Sequence, residues 1–186
     1  IEQLVTKTKF QNVNTNTLSP SEYPEVAQKI YNFLKSNQRE KVYYEILKKE
    51  LQHKNSKFTA GQLGIIQVTN WIVTTNFEDS FETAFKEIWE LKGIQKIPNV
   101  LSLPDFNRNN LMDKESVIYL LGRIEERYII LKSDDYKNYY PSVNGCKGCD
   151  DIEKYLEYIY QNHVIVFIGF SFDDSSIKKT FKHIYN

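Results

Sequence analysis

A strand that leads directly into a helix is predicted by the stretch Trp71-Ile72-Val73-Thr74-Thr75-Asn76-Phe77-Glu78-Asp79. Its first five residues are β-branched or aromatic, which predicts a buried strand over residues 71–75. Apolar side chains then recur at helical spacing, with acids in the first turn, so a helix is predicted over residues 78–91. The apolar positions of that helix are Phe81, Phe85, Ile88 and Trp89. Such a strand–helix unit is the building block of an α/β protein.

Further strand and helix signals alternate along the chain. Short apolar segments predict strands, and amphipathic or capped segments predict helices. We expect strands at residues 99–103 and 117–121, and a strand or an extended segment at residues 128–131. A short helix capped by Ser133-Asp134-Asp135 and an amphipathic helix over residues 152–160 are expected after them. Because such alternation requires crossover connections, we predict an α/β, Rossmann-like fold with a mainly parallel sheet and helices on both faces.

An unbroken apolar run, Val164-Ile165-Val166-Phe167-Ile168-Gly169, lies near the end of the chain. A run without polar alternation is typical of a parallel strand that is covered on both faces. We therefore expect a strand here, followed by a closing helix that is capped by Ser171.

A helical section precedes the first predicted strand. Ser19 and Glu22 have the spacing of a capping box, and apolar stripes mark two helices after them. The segment Thr59–Gly64 is expected to form a short turn of helix or a loop. We therefore expect a single domain over residues 1–186, with a helical insertion at residues 20–65 and an α/β part at residues 66–186.

The composition fits a folded domain and narrows the function classes. The chain has 186 residues, of which 41% are hydrophobic, and its 24 basic and 24 acidic residues give zero net charge. This balance argues against a dedicated binder of nucleic acid or acidic membranes, and no apolar run reaches the roughly 20 residues of a membrane span. Cys146 and Cys149 offer half of a zinc site, so we expect no metal and a reducing, cytoplasmic setting.

Polar residues and glycines follow three of the predicted strands, where ligands bind in an open parallel sheet. Each residue alone fits an ordinary turn or cap, but together they indicate a ligand site. Arg123 fits either a phosphate contact or a surface charge. The other residues of this set are Thr75, Asn76, Glu78, Gly122, Gly169 and Ser171.

Four short blocks, in this order, resemble the sirtuin-like NAD-consuming domains of bacterial antiphage defence proteins. The blocks are residues 74–82 (TTNFEDSFE), 118–122 (IYLLG), 129–136 (IILKSDDY) and 167–174 (FIGFSFDD), and the resemblance spans about residues 20–180. It implies NAD as substrate or ligand, without a metal. It places Asn76, with Thr75 beside it, at the nicotinamide ribose, and Gly169 and Ser171 at the adenosine side. Gly122 falls on the glycine of the family's His-Gly pair.

The chain departs from the pattern of that family at three points. The first strand and Gly-rich loop of the family are not found, and Ile1-Glu2-Gln3-Leu4 resembles the helix that follows them, so we expect an N-terminally incomplete fragment. The family's His falls on Leu121, which cannot move protons. The Asp expected two residues after Asn76 is Glu78, which keeps the charge but extends its reach.

Two functions follow from this resemblance, and an unrelated Rossmann-like domain is a third option. One is an NAD-hydrolysing effector that cleaves the nicotinamide–ribose bond, in which Asn76 orients the ribose and water and Glu78 stabilises the developing positive charge. The other is a catalytically degenerate module that binds a nucleotide or packs against partner subunits. Without a His, general-base help of about 10²–10⁴-fold is lost, so we expect weak or absent turnover.

The expected partners follow the same two functions. We expect NAD or a related nucleotide as ligand, and protein partners or further domains of a longer chain, within a homo-oligomer. We expect no direct contact with nucleic acid or a membrane.

Overall fold

The structure is a computed structural model that describes residues 1–10, 13–51, 58–102, 116–126, 128–140, 150–169 and 175–185. The chain divides into two compact units, Leu47–Ile129 and Ile1–Ile46 with Ile130–Asn186. The helices are α1 Glu2–Thr8, α2 Tyr23–Ser36, α3 Glu40–Leu51, α4 Ala60–Val68, α5 Ser80–Leu91, α6 Ser133–Tyr139, α7 Asp150–Asn162 and α8 Ser175–Tyr185. The strands are β1 Trp71–Thr74, β2 Asn99–Ser102, β3 Ser116–Tyr119, β4 Gly122–Arg123 and β5 Tyr128–Ile129.

A three-stranded parallel sheet lies in the unit formed by residues 47–129, within the described part of the chain. Its strands are ordered β1, β3, β2, so that the last strand in sequence lies in the middle. Helices α4 and α5 pack against the face of the sheet that carries Ile72, Val117 and Tyr119, and this arrangement confirms the predicted α/β, Rossmann-like fold class. The buried residues of the shared core are Ile66, Ile72, Phe81, Ala84, Phe85, Trp89, Val117 and Tyr119.

The strands predicted at residues 71–75, 99–103 and 117–121 are present as β1, β2 and β3 with slightly different ends. The strand or extended segment predicted at residues 128–131 is present as β5, but β5 is only two residues long and pairs antiparallel with β4 in a separate sheet, so it does not extend the parallel sheet. The physical reason is the short connection after Arg123. A parallel neighbour needs a crossover of a dozen or more residues, whereas four residues allow only a hairpin.

The apolar run Val164–Gly169 is not a strand, and that prediction is wrong. Residues 164–168 carry no regular secondary structure, and Val164 and Val166 are 94% and 74% exposed. Phe167 packs edge-on against Phe181 of α8, with ring centroids 5.4 Å apart. β-branched residues favour a strand because they pack well on the pleated surface of a sheet, so the preference takes effect only where a neighbouring strand is available. All of the described strands belong to the unit of residues 47–129, whereas this run belongs to the other unit. Within its own unit, therefore, no described strand offers an edge with which the run could pair.

The helical predictions for residues 20–65 are confirmed by α2, α3 and α4. The predicted capping box is present, since the carboxylate of Glu22 accepts a hydrogen bond of 2.9 Å from the backbone N–H of Ser19. The segment expected to form a short turn of helix or a loop begins a nine-residue helix, α4, which Thr59 caps by accepting from Gln62 N–H at 3.2 Å. None of the helices in the described ranges is long and apolar enough to cross a membrane.

A cluster of tyrosines surrounds Lys132 in the unit of residues 1–46 and 130–186. The Lys132 ammonium lies 4.0 Å from the ring centroid of Tyr31, a cation–π distance, and 3.2 Å from Asp135 Oδ1. Tyr43 packs edge-on against Tyr31 at 5.4 Å and is 1% exposed. Its hydroxyl has no hydrogen-bond partner among the described residues. Asp135, one of the three residues predicted to cap α6, accepts from the backbone N–H of Lys132, which is the N-cap residue.

Candidate functional site

The turn after β1 holds the predicted site residues Asn76 and Glu78 in contact. The Asn76 side-chain amide donates to Glu78 Oε1 at 2.9 Å, and the Asn76 backbone N–H donates to Thr74 Oγ1 at 3.0 Å. Asn76 is exposed, whereas Thr75 and Glu78 are half-buried. Because the amide nitrogen is turned to Glu78, the amide oxygen is the acceptor that Asn76 offers to a ligand hydroxyl.

The carboxylate of Glu78 is fixed from its other side by the start of α5. Ser80 donates its hydroxyl to Glu78 Oε1 at 3.2 Å, and Gln62 of α4 donates to that hydroxyl at 2.7 Å. This relay holds the carboxylate beside an exposed amide at the carboxyl end of a parallel strand. A ligand with hydroxyl groups would meet two acceptors there, an amide oxygen and a carboxylate oxygen.

Gly122 lies after β3, the neighbour of β1, and therefore at the same edge of the sheet. Its φ of +82° places it in the left-handed region. A Cβ at this position would lie 2.0 Å from the carbonyl oxygen of Tyr128, so the β4–β5 hairpin itself requires glycine. Leu121 beside it is 7% exposed and packs as an apolar side chain.

The other two predicted site residues, Gly169 and Ser171, do not belong to the unit that holds this turn. Gly169 belongs to the unit of residues 1–46 and 130–186, where it is exposed with φ +65° and has no heavy atom within 4 Å of an added Cβ. Ser171 lies outside the described residues. Their assignment to the adenosine side of NAD stays a prediction.

Arg123 is held by carboxylates of its own chain. Its Nη2 lies 2.7 Å from Glu82 Oε1, and its Nη1 lies 2.9 Å from Glu126 Oε1. The guanidinium also lies over the ring of Tyr119, with Cζ 5.3 Å from the centroid. The side chain is 15% exposed, which excludes a free surface charge. Both terminal nitrogens are therefore already engaged by carboxylates, and a phosphate would have to compete with Glu82 and Glu126 for them.

The buried carboxylate of Glu82 is the residue that sequence reasoning missed. Burial raises the pKa of Glu82, and the nearby charge of Arg123 and the hydroxyl of Tyr119 oppose that rise. Burial and the charge of Glu82 in turn raise the pKa of Tyr119, so its hydroxyl stays a donor. A sequence signal existed, because Glu82 stands three residues before Phe85 and seven before Trp89, on the apolar stripe of α5.

Metal ligation finds no support in the described part of the chain. No group of three or more His, Cys, Asp or Glu side chains there could hold a metal ion. Cys146 and Cys149 lie outside the described residues.

The parallel sheet defines an α/β domain of the Rossmann-like class, a class whose ligands bind at the carboxyl edge of the sheet. A family model described as "SIR2-like domain" matches residues 70–186. The chain belongs to the SIR2-like domain family, which indicates an NAD-type ligand. A search of curated proteins found no match to the chain.

Proposed function

We propose that this chain binds NAD at the carboxyl edge of its sheet, as the NAD-consuming domain of a bacterial antiphage defence protein in the cytoplasm. The observation that carries the proposal is the hydrogen bond between Asn76 and Glu78 on the turn after β1. It fixes the amide so that its oxygen can accept from a ribose hydroxyl, which is the role that the resemblance gives to Asn76.

Two residues of this turn would act on the nicotinamide–ribose bond. When that bond breaks, its electron pair leaves with nicotinamide and positive charge develops on the ribose. Glu78 supplies a carboxylate of opposite sign, held by Asn76 and Ser80 before any ligand binds. Asn76 orients the ribose and the attacking water, whose oxygen forms the new bond to carbon and whose proton passes to solvent.

Leu121 supports a second candidate function, a module of the same family that binds nucleotide without turning it over. The resemblance places the general base of the family at this position, and the side chain here is apolar and buried. Proton transfer by a positioned base contributes about 10²–10⁴-fold to rate, so its loss predicts binding with little cleavage.

Calorimetric titration of the chain with NAD and with ADP-ribose tests the binding proposal. We expect Asn76→Ala to weaken NAD binding by about tenfold, the effect of losing a ligand hydrogen bond in a partly solvated site. The matched control is Asn32→Ala, since Asn32 is exposed on α2 and its side chain accepts a hydrogen bond of 3.0 Å from Gln28 of the same helix. Equal NAD affinity of wild type and Asn76→Ala would reject this site.

Release of nicotinamide separates the two candidate functions. The same preparation is incubated with NAD, and free nicotinamide is followed by chromatography. Sustained release that Glu78→Gln abolishes would establish the hydrolase. Binding without release would establish the nucleotide-binding module.

A further inference from the structure

The last residues of the three parallel strands form one row on a single face of the sheet. The strand register pairs Tyr119 of β3 with Thr74 of β1 on one side and with Ser102 of β2 on the other. All three side chains are buried. Helix α5 places the carboxylate of Glu82 against the central member of the row, since the Tyr119 hydroxyl lies 2.8 Å from Glu82 Oε1.

A continuous path of polar contacts connects this row with the turn after β1. The Tyr119 hydroxyl lies 3.1 Å from the backbone carbonyl oxygen of Glu78, so its proton is shared between that oxygen and Glu82. Glu82 is in turn the partner of Arg123. The backbone of the turn is therefore tied to the buried charge pair through one phenol.

The path continues to the end of β2. Arg123 reaches Glu126 through its second terminal nitrogen, and the hydroxyl of Ser102 donates to Glu126 Oε2 at 2.6 Å. The carboxyl ends of all three strands are thus joined by Tyr119, Glu82, Arg123, Glu126 and Ser102, which we call the edge network. Its residues all belong to the unit of residues 47–129.

We propose that the edge network positions the ligand-binding turn, with Tyr119 as the positioning residue that transmits it. Tyr119 acts through the backbone of Glu78 and through no contact with the ligand. The proposal shares with the function proposed above the assumption that a ligand binds at Asn76. The positioning itself is a property of the ligand-free chain.

The physical reason is the conformational entropy that a mobile turn would lose when a ligand binds. Asn76 is exposed and Glu78 is half-buried, so their own packing holds them weakly. Fixing the backbone between Asn76 and α5 before binding reduces the conformational entropy that a ligand must offset. Arg123 compensates the buried charge of Glu82, which lets that carboxylate accept the phenolic proton.

Hydrogen–deuterium exchange of the ligand-free chain tests the positioning directly. Tyr119→Phe keeps the ring and removes the hydroxyl, and we expect exchange of the peptide covering residues 75–80 to accelerate by about fivefold, as the loss of one hydrogen bond predicts. Tyr43→Phe is the matched control, because that hydroxyl has no partner among the described residues, and it should leave this peptide unchanged. Unchanged exchange in Tyr119→Phe would overturn the proposal.

A double-mutant cycle on NAD affinity separates positioning from general destabilisation. Tyr119→Phe should weaken NAD binding by about fivefold in the wild-type background and by less than about twofold in the Asn76→Ala background. An equal factor in both backgrounds would show that the hydroxyl does not act through Asn76 and would overturn the proposal. Ser102→Ala, at the far end of the edge network, should weaken binding in the same direction by a smaller factor.

The two arms distinguish failure of this proposal from failure of the proposed function. If the wild-type chain binds no NAD, the function proposed above fails, and the exchange experiment still decides whether Tyr119 holds the turn. If the chain binds NAD and Tyr119→Phe changes neither exchange nor affinity, the function stands and the positioning role fails.

Discussion

The guanidinium of Arg123 and the buried carboxylate of Glu82 form an ion pair across the end of the parallel sheet, with Nη2 2.7 Å from Oε1. Glu82 comes from the first turn of α5 and Arg123 from β4. The pair therefore fastens the helix that follows β1 to the hairpin that follows β3. Its two residues are 41 positions apart in sequence, so it forms only when the sheet has formed.

Removing Arg123 should destabilise the chain by about 2–3 kcal/mol, because it leaves a buried carboxylate without its counter-charge. Arg123→Met keeps most of the side-chain volume, and urea unfolding measures the effect. Lys137→Met is the control, since Lys137 pairs with Asp134 at 3.5 Å on the surface, with both side chains more than 60% exposed. That change should cost less than about 1 kcal/mol. Equal effects of the two changes would contradict a special role for the Arg123–Glu82 pair.

The stability of the chain should carry a pH dependence that originates at Glu82. Burial raises its pKa above the ordinary value of 4.5, so the folded chain retains a proton at pH values where the unfolded chain has lost it. The stabilisation from this residue is therefore complete below pH 4.5 and is lost as pH rises through the raised pKa. We expect the free energy of unfolding of wild type minus that of Glu82→Gln to fall as the pH rises above 4.5. A difference that grows with pH would contradict the raised pKa.

Tyr43→Phe should stabilise the chain, by about 1 kcal/mol. The hydroxyl of Tyr43 is buried and has no hydrogen-bond partner among the described residues, so folding strips it of water without replacement. Tyr119→Phe is the opposite case and should destabilise by a similar amount, because it removes a hydroxyl that donates to Glu82. Thermal unfolding of both variants compares the same chemical change in two environments. A loss of stability in Tyr43→Phe would reveal a partner for its hydroxyl.

Gly122→Ala should destabilise the chain by about 3 kcal/mol or more. Alanine pays for the left-handed backbone, about 1–2 kcal/mol, and its Cβ would also meet the Tyr128 carbonyl at 2.0 Å. Gly93→Ala isolates the first cost, because Gly93 has φ +69° and no heavy atom within 4 Å of an added Cβ. In denaturant unfolding, the free energy of unfolding of Gly122→Ala should therefore be well below that of Gly93→Ala. Equal losses would mean that the hairpin shifts to make room.

The local part of the fold was accessible from the sequence, and the long-range part was not. Trp71–Thr74 and α5 follow from β-branched composition and helical spacing, which are properties of neighbouring residues. The run Val164–Ile168 has the same local signal and forms no strand, because a strand depends on an edge that other segments must supply.

The candidate site divides in the same way. Asn76 and Glu78 are two positions apart, so their contact could be anticipated from the turn that holds them. The pairing of Arg123 with Glu82 could not, because Glu82 is remote in sequence and its burial depends on how α5 packs on the sheet. An acid on the apolar stripe of a helix predicts that a buried cation or hydrogen-bond donor pairs with it, but not which residue supplies that partner.

The exposure of Val164, Val166 and Ile168 bears on how the chain behaves at high concentration. A short uncharged segment of β-branched residues without proline is the composition that stacks into intermolecular β-structure. Charged residues and prolines, which usually interrupt such segments, are absent between His163 and Gly169. Concentrated preparations should therefore lose material to aggregation that begins at this segment, and Val166→Glu should slow that loss in light scattering.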